Sequence, residues 1–242
     1  MVLRFHLAGI NNQNFLMRDE QTGTYWQQVS GRAIAGPLKG SALQLIHSDE
    51  LTLGLWKAEQ PHGTVLEDVA GYSSHYAPED WDVKMQKTPA VLSYPGPELA
   101  PRELMLGIRA GDGARAYRLD DVLKAGLIED RVGSEPVLLV VGTDGESVRA
   151  FSRRLPNGSA VADFYRARDN AAGAALMGDA ARAALMMDAL TGSRWNFRGC
   201  ATEGPRKGEC LEQVEVIKDY WFDWRNYNPA TTVFRRFMGG GR

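Results

Sequence analysis

The chain has 242 residues, 44% hydrophobic and 24% charged, with a net charge of −2. That balance is ordinary for a folded globular protein and leaves no electrostatic footprint for nucleic acid or an anionic membrane. No apolar stretch approaches the roughly 20 residues of a membrane span, and two cysteines are too few for a disulfide scaffold.

Met1–Leu7 lacks the basic region and apolar core of a signal peptide, which taken literally means a cytoplasmic chain. Residues 3–18 predict a strand, a turn over Gly9–Asn14 and a second strand at Phe15–Met17. Asp19–Gly23 is a turn, because Asp bonds its own backbone and Gly accepts positive φ. Trp26 follows as a strand anchor. Gly31–Leu38 and Leu43–Ile46 predict two strands about a Gly-Pro-x-Lys-Gly turn. Leu51–Glu59 is helical, capped by Ser48 or Thr52, with Pro61 beyond its end.

Residues 67–101 carry five prolines and read as connecting structure, with Tyr94–Pro97 as the linker. Glu103–Ile108 and Ala114–Tyr117 form a hairpin across Gly111-Asp-Gly113. Leu119–Leu127 is a short helix capped by Asp120 or Asp121. Val137–Val141 is a buried strand, and Ser147–Phe151 pairs with it across Asp144-Gly145. A short helix is expected at about 173–182, a strand at 184–188, a helix at Asp219–Tyr227 and a loose end at Gly239–Arg242.

The chain also says the same thing twice. Asp19, Thr22, Gly23 and Trp26 recur at one offset as Asp188, Thr191, Gly192 and Trp195. After a one-residue deletion, Gly36-Pro37 and Lys39-Gly40 recur as Gly204-Pro205 and Lys207-Gly208. Leu43, Trp56 and Pro61 recur as Leu211, Trp224 and Pro229. One gap in some fifty positions signals duplication. The expected fold is α+β, mostly β, with a partial first unit at 1–66, a connecting segment at 67–102 and a complete second unit at 103–242.

The set D-x-x-T-G-x-x-W, G-x-A-x-x-G-P-x-K-G and a Trp-bearing helix before P-x-x-T-V resembles the bacterial Domain of Unknown Function 3179. So do Arg115-Ala116-Tyr117, Pro136–Val141 and Ala150–Arg153. The resemblance covers most of 3–66 and 103–238. It implies architecture and no reaction. Members of that family are usually exported, which implies a periplasmic or extracytoplasmic setting against the literal reading of the N-terminus. It also implies that the first unit holds only its back half. The front half would lie upstream of Met1 or come from another polypeptide, because a half-unit leaves strand edges and an apolar face uncovered.

Cys200 and Cys210 flank the second Gly-Pro-x-Lys-Gly turn, so a hairpin there sets them opposite each other. A disulfide, an inert reduced pair, and a metal or redox site all stay open; Arg32 and Ala42 hold the twin positions, so the fold does not require cysteine. The four histidines lack metal-ligand spacing. His75, in an aromatic loop near Glu79 and Asp80, is the best single histidine for chemistry. No serine-nucleophile motif and no phosphate loop is present. Asp19 and Asp188, with Thr22, Gly23, Trp26, Thr191, Gly192 and Trp195, read as structural, because a catalytic residue need not be duplicated. Trp221, Phe222, Trp224 and Tyr227 make the C-terminal helix more aromatic than its twin, which suits either core packing or a partner or ligand groove. These features favour a non-catalytic binding or scaffold module, an accessory subunit completed by another protein chain, with no cofactor, metal or nucleic acid. The alternative is an enzyme, redox or metal-binding protein with its site between the two lobes.

Overall fold

Apolar residues fill Val137–Val141 without alternation because both faces of that strand are covered. In the computed structural model, which describes residues 1–11, 14–90, 98–158, 160–167 and 184–235, it is the core of β8 (Glu135–Val141). It pairs antiparallel with β7 (Leu127–Val132) and β9 (Val148–Ser152). Leu138 and Val140 face one core with Phe151. Val137, Leu139 and Val141 face the other with Leu106, Ile108 and Tyr117. The expected pairing of Ser147–Phe151 with this strand holds.

The hairpin across Gly111-Asp-Gly113 also forms, as β5 (Leu104–Ala110) and β6 (Gly113–Arg118). It packs on one face of the β7–β9 sheet. On the other face lies a sheet of β10 (Phe164–Arg166), β11 (Ala184–Asp188), β12 (Arg194–Asn196) and β13 (Ala201–Glu203). Three later strands complete the layers. β14 (Gln213–Val214) adds to β9, β15 (Val216–Tyr220) adds to β5, and β16 (Thr232–Val233) runs parallel to β6. The molecule is therefore mostly β, with four small sheets and a few short helices.

The first unit forms one sheet, β1 (Phe5–Asn11), β2 (Asn14–Asp19), β3 (Tyr25–Gln27) and β4 (Ala33–Ala35). β1 and β2 run further into Gly9–Asn14 than a turn there predicts, because Asn11 pairs with Asn14. Helix α1 (Leu53–Glu59) starts where Thr52 accepts from the Leu55 amide, so Thr52 and not Ser48 is the cap. Helix α2 (Trp81–Lys87) lies in the connecting segment. Helix α3 (Leu119–Ala125) starts after Arg118 with no side-chain cap; Asp120 and Asp121 sit inside its first turn and meet the helix dipole instead. Helix α4 (Trp221–Tyr227) begins later than Asp219, because Asp219 and Tyr220 are held in β15 against β5. The linker at Tyr94–Pro97, the helix at 173–182 and the loose end at Gly239–Arg242 lie outside the described residues. Among the described residues no helix is long and apolar enough to cross a membrane.

One sequence expectation fails instructively. Leu43–Ile46 is not a strand; only an isolated Arg32–Ala42 bridge forms there. Its twin does form, as β14, because β9 offers it an edge. Likewise Ser48–Thr52 and Thr64-Val65 are not strands, while their twins are β15 and β16, seated on β5 and β6. Strand residues hydrogen-bond only where an edge is available, and among the described residues no strand edge is paired with 43–46, 48–52 or 64–65.

Candidate functional site

The recurring residues make the same bonds in both units. Asp19 accepts from the Thr22 amide at 2.5 Å and from Trp26 Nε1 at 2.9 Å. Asp188 accepts from the Thr191 amide at 2.6 Å and from Trp195 Nε1 at 2.9 Å. Burial would raise both carboxyls. Bonds donated by Trp26, Thr22 and Thr24 outweigh it and hold Asp19 down at about 2. Trp195, Thr191 and Ser193 lower Asp188 in the same way. Gly23 and Gly192 both take positive φ after these bonds. Gly36 and Gly204 lie so close to Thr24 and Ser193 that an added Cβ would come within 2.7 Å of their backbones. These carboxylates are saturated with donors, so each closes a turn and neither is free for chemistry.

Cys200 and Cys210 stand opposite each other in an isolated bridge with the sulfurs 2.05 Å apart, a disulfide. Arg32 and Ala42 occupy the same bridge in the first unit. His75 is exposed in a 3-10 turn, edge-on to Tyr72. Asp80 pairs with Lys84, so the structure does not assemble a histidine–acid set there.

The aromatic helix α4 is already used. Trp221, Phe222 and Trp224 are buried. Gly107 of β5 lets the Trp224 ring lie on the strand; a Cβ there would fall 2.3 Å from it. Trp224 Nε1 also donates to Thr231. These three side chains are core. Tyr227 is only half-buried, with its hydroxyl turned toward Asn14 and Asn226.

The open counterpart is α1. Leu53 and Trp56 are the twins of Trp221 and Trp224, yet Leu53 is 54% exposed and Trp56 is only partly covered. Leu43 is 37% exposed where Leu211 is 5% exposed. Leu45 and Ile46, twins of β14, project into solvent, as do Leu7 and Phe15 of the first sheet. Sequence reading expected an uncovered apolar face on a half-unit but did not name these residues; the signal was their position, at the offset that matches Leu43, Leu53 and Trp56 with Leu211, Trp221 and Trp224.

The opposite edge of α1 is anchored. Leu55 enters the core among Leu138, Phe151 and Phe197. Thr52 donates to Asp144 at 2.7 Å, and its amide donates to Ser147 at 3.0 Å. Arg149 of β9, almost wholly buried, donates to Asp49 at 2.6 and 3.0 Å and to Glu59 at 2.7 and 2.8 Å. Its guanidinium lies 4.7 Å from the Phe197 ring. His47 bridges Asp49 and Glu215 at 3.1 and 2.7 Å. Burial would raise Asp49, but Arg149 and His47 lower it, and the two carboxylates hold the Arg149 proton more firmly despite burial. The cleft beside this strap, about 420 Å³, is lined by Asp49, Leu51, Leu53, Trp56, Glu59, Gln60 and Arg149. Its charges are paired with each other. Among the described residues no group of three or more His, Cys, Asp or Glu side chains is arranged to hold a metal.

The family model described as Protein of unknown function (DUF3179) matches residues 2–231. The chain belongs to the DUF3179 family. No curated protein and no solved structure matches this DUF3179 chain.

Proposed function

We infer that this DUF3179 chain is a non-catalytic binding or scaffold module. Its first unit receives an antiparallel β-sheet from a partner segment, as the second unit receives residues 104–152. The observation that carries this reading is the contrast between twins. Three segments of the second unit pair with β9, β5 and β6. Their first-unit counterparts are not in strands, and Leu43, Leu45, Ile46, Leu53 and Val65 are exposed. An arriving sheet would supply strand edges for 45–46, 48–52 and 64–65, and an apolar face for Leu43, Leu53 and Trp56. Accessory-subunit status in an extracytoplasmic assembly agrees with this, and the disulfide suits an oxidising compartment. The alternative of an enzyme between the lobes has the cleft at Arg149 in its favour, but the guanidinium there is bound by two carboxylates.

Native and denaturing mass spectrometry of the protein purified from its own source tests the reading. The expected result is a native mass above that of one chain, which falls on denaturation with release of a second polypeptide. Leu53→Glu with Ile46→Pro should abolish the larger species while leaving the melting temperature of the free chain within a few degrees, because both residues are exposed. A bare single-chain mass from the native source would overturn the subunit reading and return attention to the cleft.

A further inference from the structure

The edge strands of the two units, β1 and β10, begin alike. Phe5 pairs with Asp19, and Phe164 pairs with Asp188. The carbonyl before each phenylalanine accepts from the amide after each aspartate: Arg4 from Glu20 at 2.9 Å, and Asp163 from Ala189 at 2.8 Å. Arg4 therefore stands where Asp163 stands. Leu7, opposite Met17, likewise stands where Arg166 does, opposite Met186.

In the second unit these positions meet side chains and carbonyls from 126–153. The Glu129 carboxylate accepts from the Phe164 amide. Arg153, directly after β9, donates to the Ala162 carbonyl at 2.9 Å and pairs with the Asp163 carboxylate. Arg166 donates to the carbonyls of Gly126 and Val141 at 3.0 and 2.8 Å. Side chains thus close the β10 edge, one of the usual ways to blunt an edge strand, and Phe164 is 5% exposed. β1 has the same backbone start and different side chains. Arg4 is exposed, Phe5 is 38% exposed and Leu7 is 60% exposed. Relative to β10, the charge is reversed at Arg4 and replaced by an apolar group at Leu7.

We propose that Arg4 selects the partner of the first unit by charge: the arriving sheet carries a carboxylate side chain against Arg4, at the place that Arg153 fills in the second unit, and an apolar side chain against Leu7. This rests on the scaffold reading above and names the chemistry of its partner. The occupant is a second polypeptide with an Asp or Glu directly after the strand that corresponds to β9. Residues 104–153 of another copy of this chain do not fit, because their Arg153 would face Arg4. Opposite charges across an interface fix register, and like charges brought together reject the wrong partner.

The test uses the full chain and the second polypeptide recovered from the native-source complex. Arg4→Asp should weaken their binding about tenfold or more at low salt, and the gap from wild type should narrow at high salt, where exposed charges are screened. Arg4→Lys should bind nearly as well as wild type. Its new amine should also couple, under a carbodiimide, to an Asp or Glu of the second polypeptide, which peptide mapping locates. Both variants should melt within a few degrees of wild type, because Arg4 is exposed. Binding unchanged by Arg4→Asp, or a second polypeptide that proves to be another copy of this chain, would overturn the charge selection and leave the scaffold reading standing. So would an intact Arg4→Lys complex that gives no coupling at position 4. A native-source protein with no second polypeptide would overturn both.

Discussion

Asp188 shows what a single side chain does here. It closes its turn, orients Trp195 and is fully buried. Asp188→Ala strips a buried indole N–H and a backbone N–H of their acceptor, which should cost about 3 kcal/mol in urea unfolding. Its carboxyl is depressed in the folded state, so its contribution is complete above the ordinary carboxylate value near 4 and fades as pH falls. Asp188→Asn should therefore lower stability near neutrality and flatten its decline on acidification; an unchanged acid limb would contradict the assignment. This turn was legible in the sequence because its bonds span three and seven residues, which the repeat keeps in step. Phe5 and Phe164 were not. Each sits opposite a turn aspartate and edge-on to that turn's tryptophan, Phe5 to Trp26 and Phe164 to Trp195. The segment between phenylalanine and aspartate is longer in the second unit, so no fixed offset aligns them.

Among the elements, α1 depends most on distant parts of the chain. Its cap, its buried leucine and its flanking acids all find partners beyond residue 138. Arg149→Ala would leave the buried Glu59 carboxylate without its partner, and Asp49 with only His47 and Gln213, and should destabilise by about 3–5 kcal/mol. The loss should also release 47–59 to limited proteolysis. Unchanged protease resistance there would mean that the strap is not what holds the helix. None of this was visible in the sequence, where Arg149, Asp49 and Glu59 are ordinary charged residues far apart. Local signals fared better. Gly111-Asp-Gly113 set its hairpin, and five consecutive apolar residues marked β8. The aspartates of α3 misled, because Asp stabilises a first turn as well as a cap.

For the whole molecule, the turns at Asp19 and Asp188 have the same local chemistry, while the residues that follow them have different cover. Leu211→Asp would place a carboxylate in the inner core and should cost about 4 kcal/mol or prevent folding. The twin change, Leu43→Asp, should cost about 0.5 kcal/mol in the free chain, because that leucine already meets solvent. Equal costs at the two positions would mean that the first unit is covered after all. The mostly-β architecture could be read from turn chemistry and alternation. The exposure of Leu53 on α1, against the burial of Trp221 at the matching position on α4, could not be read in the sequence. An aromatic side chain reads alike whether it is core or interface; only the neighbours decide, and they lie far away in sequence.

The anchoring of α1 bears on how the protein is made. Leu55 leaves the ribosome long before Leu138, Phe151, Phe197 and Leu211, the residues that enclose it. At about 5–20 residues per second, that wait is roughly 10–30 s. Throughout it, the first unit exposes both the leucine bound for the core and the strand segments that find no edge. A nascent chain with that much greasy surface is a natural client for holding chaperones, and its C-terminal half must be complete before the N-terminal half has anywhere to rest.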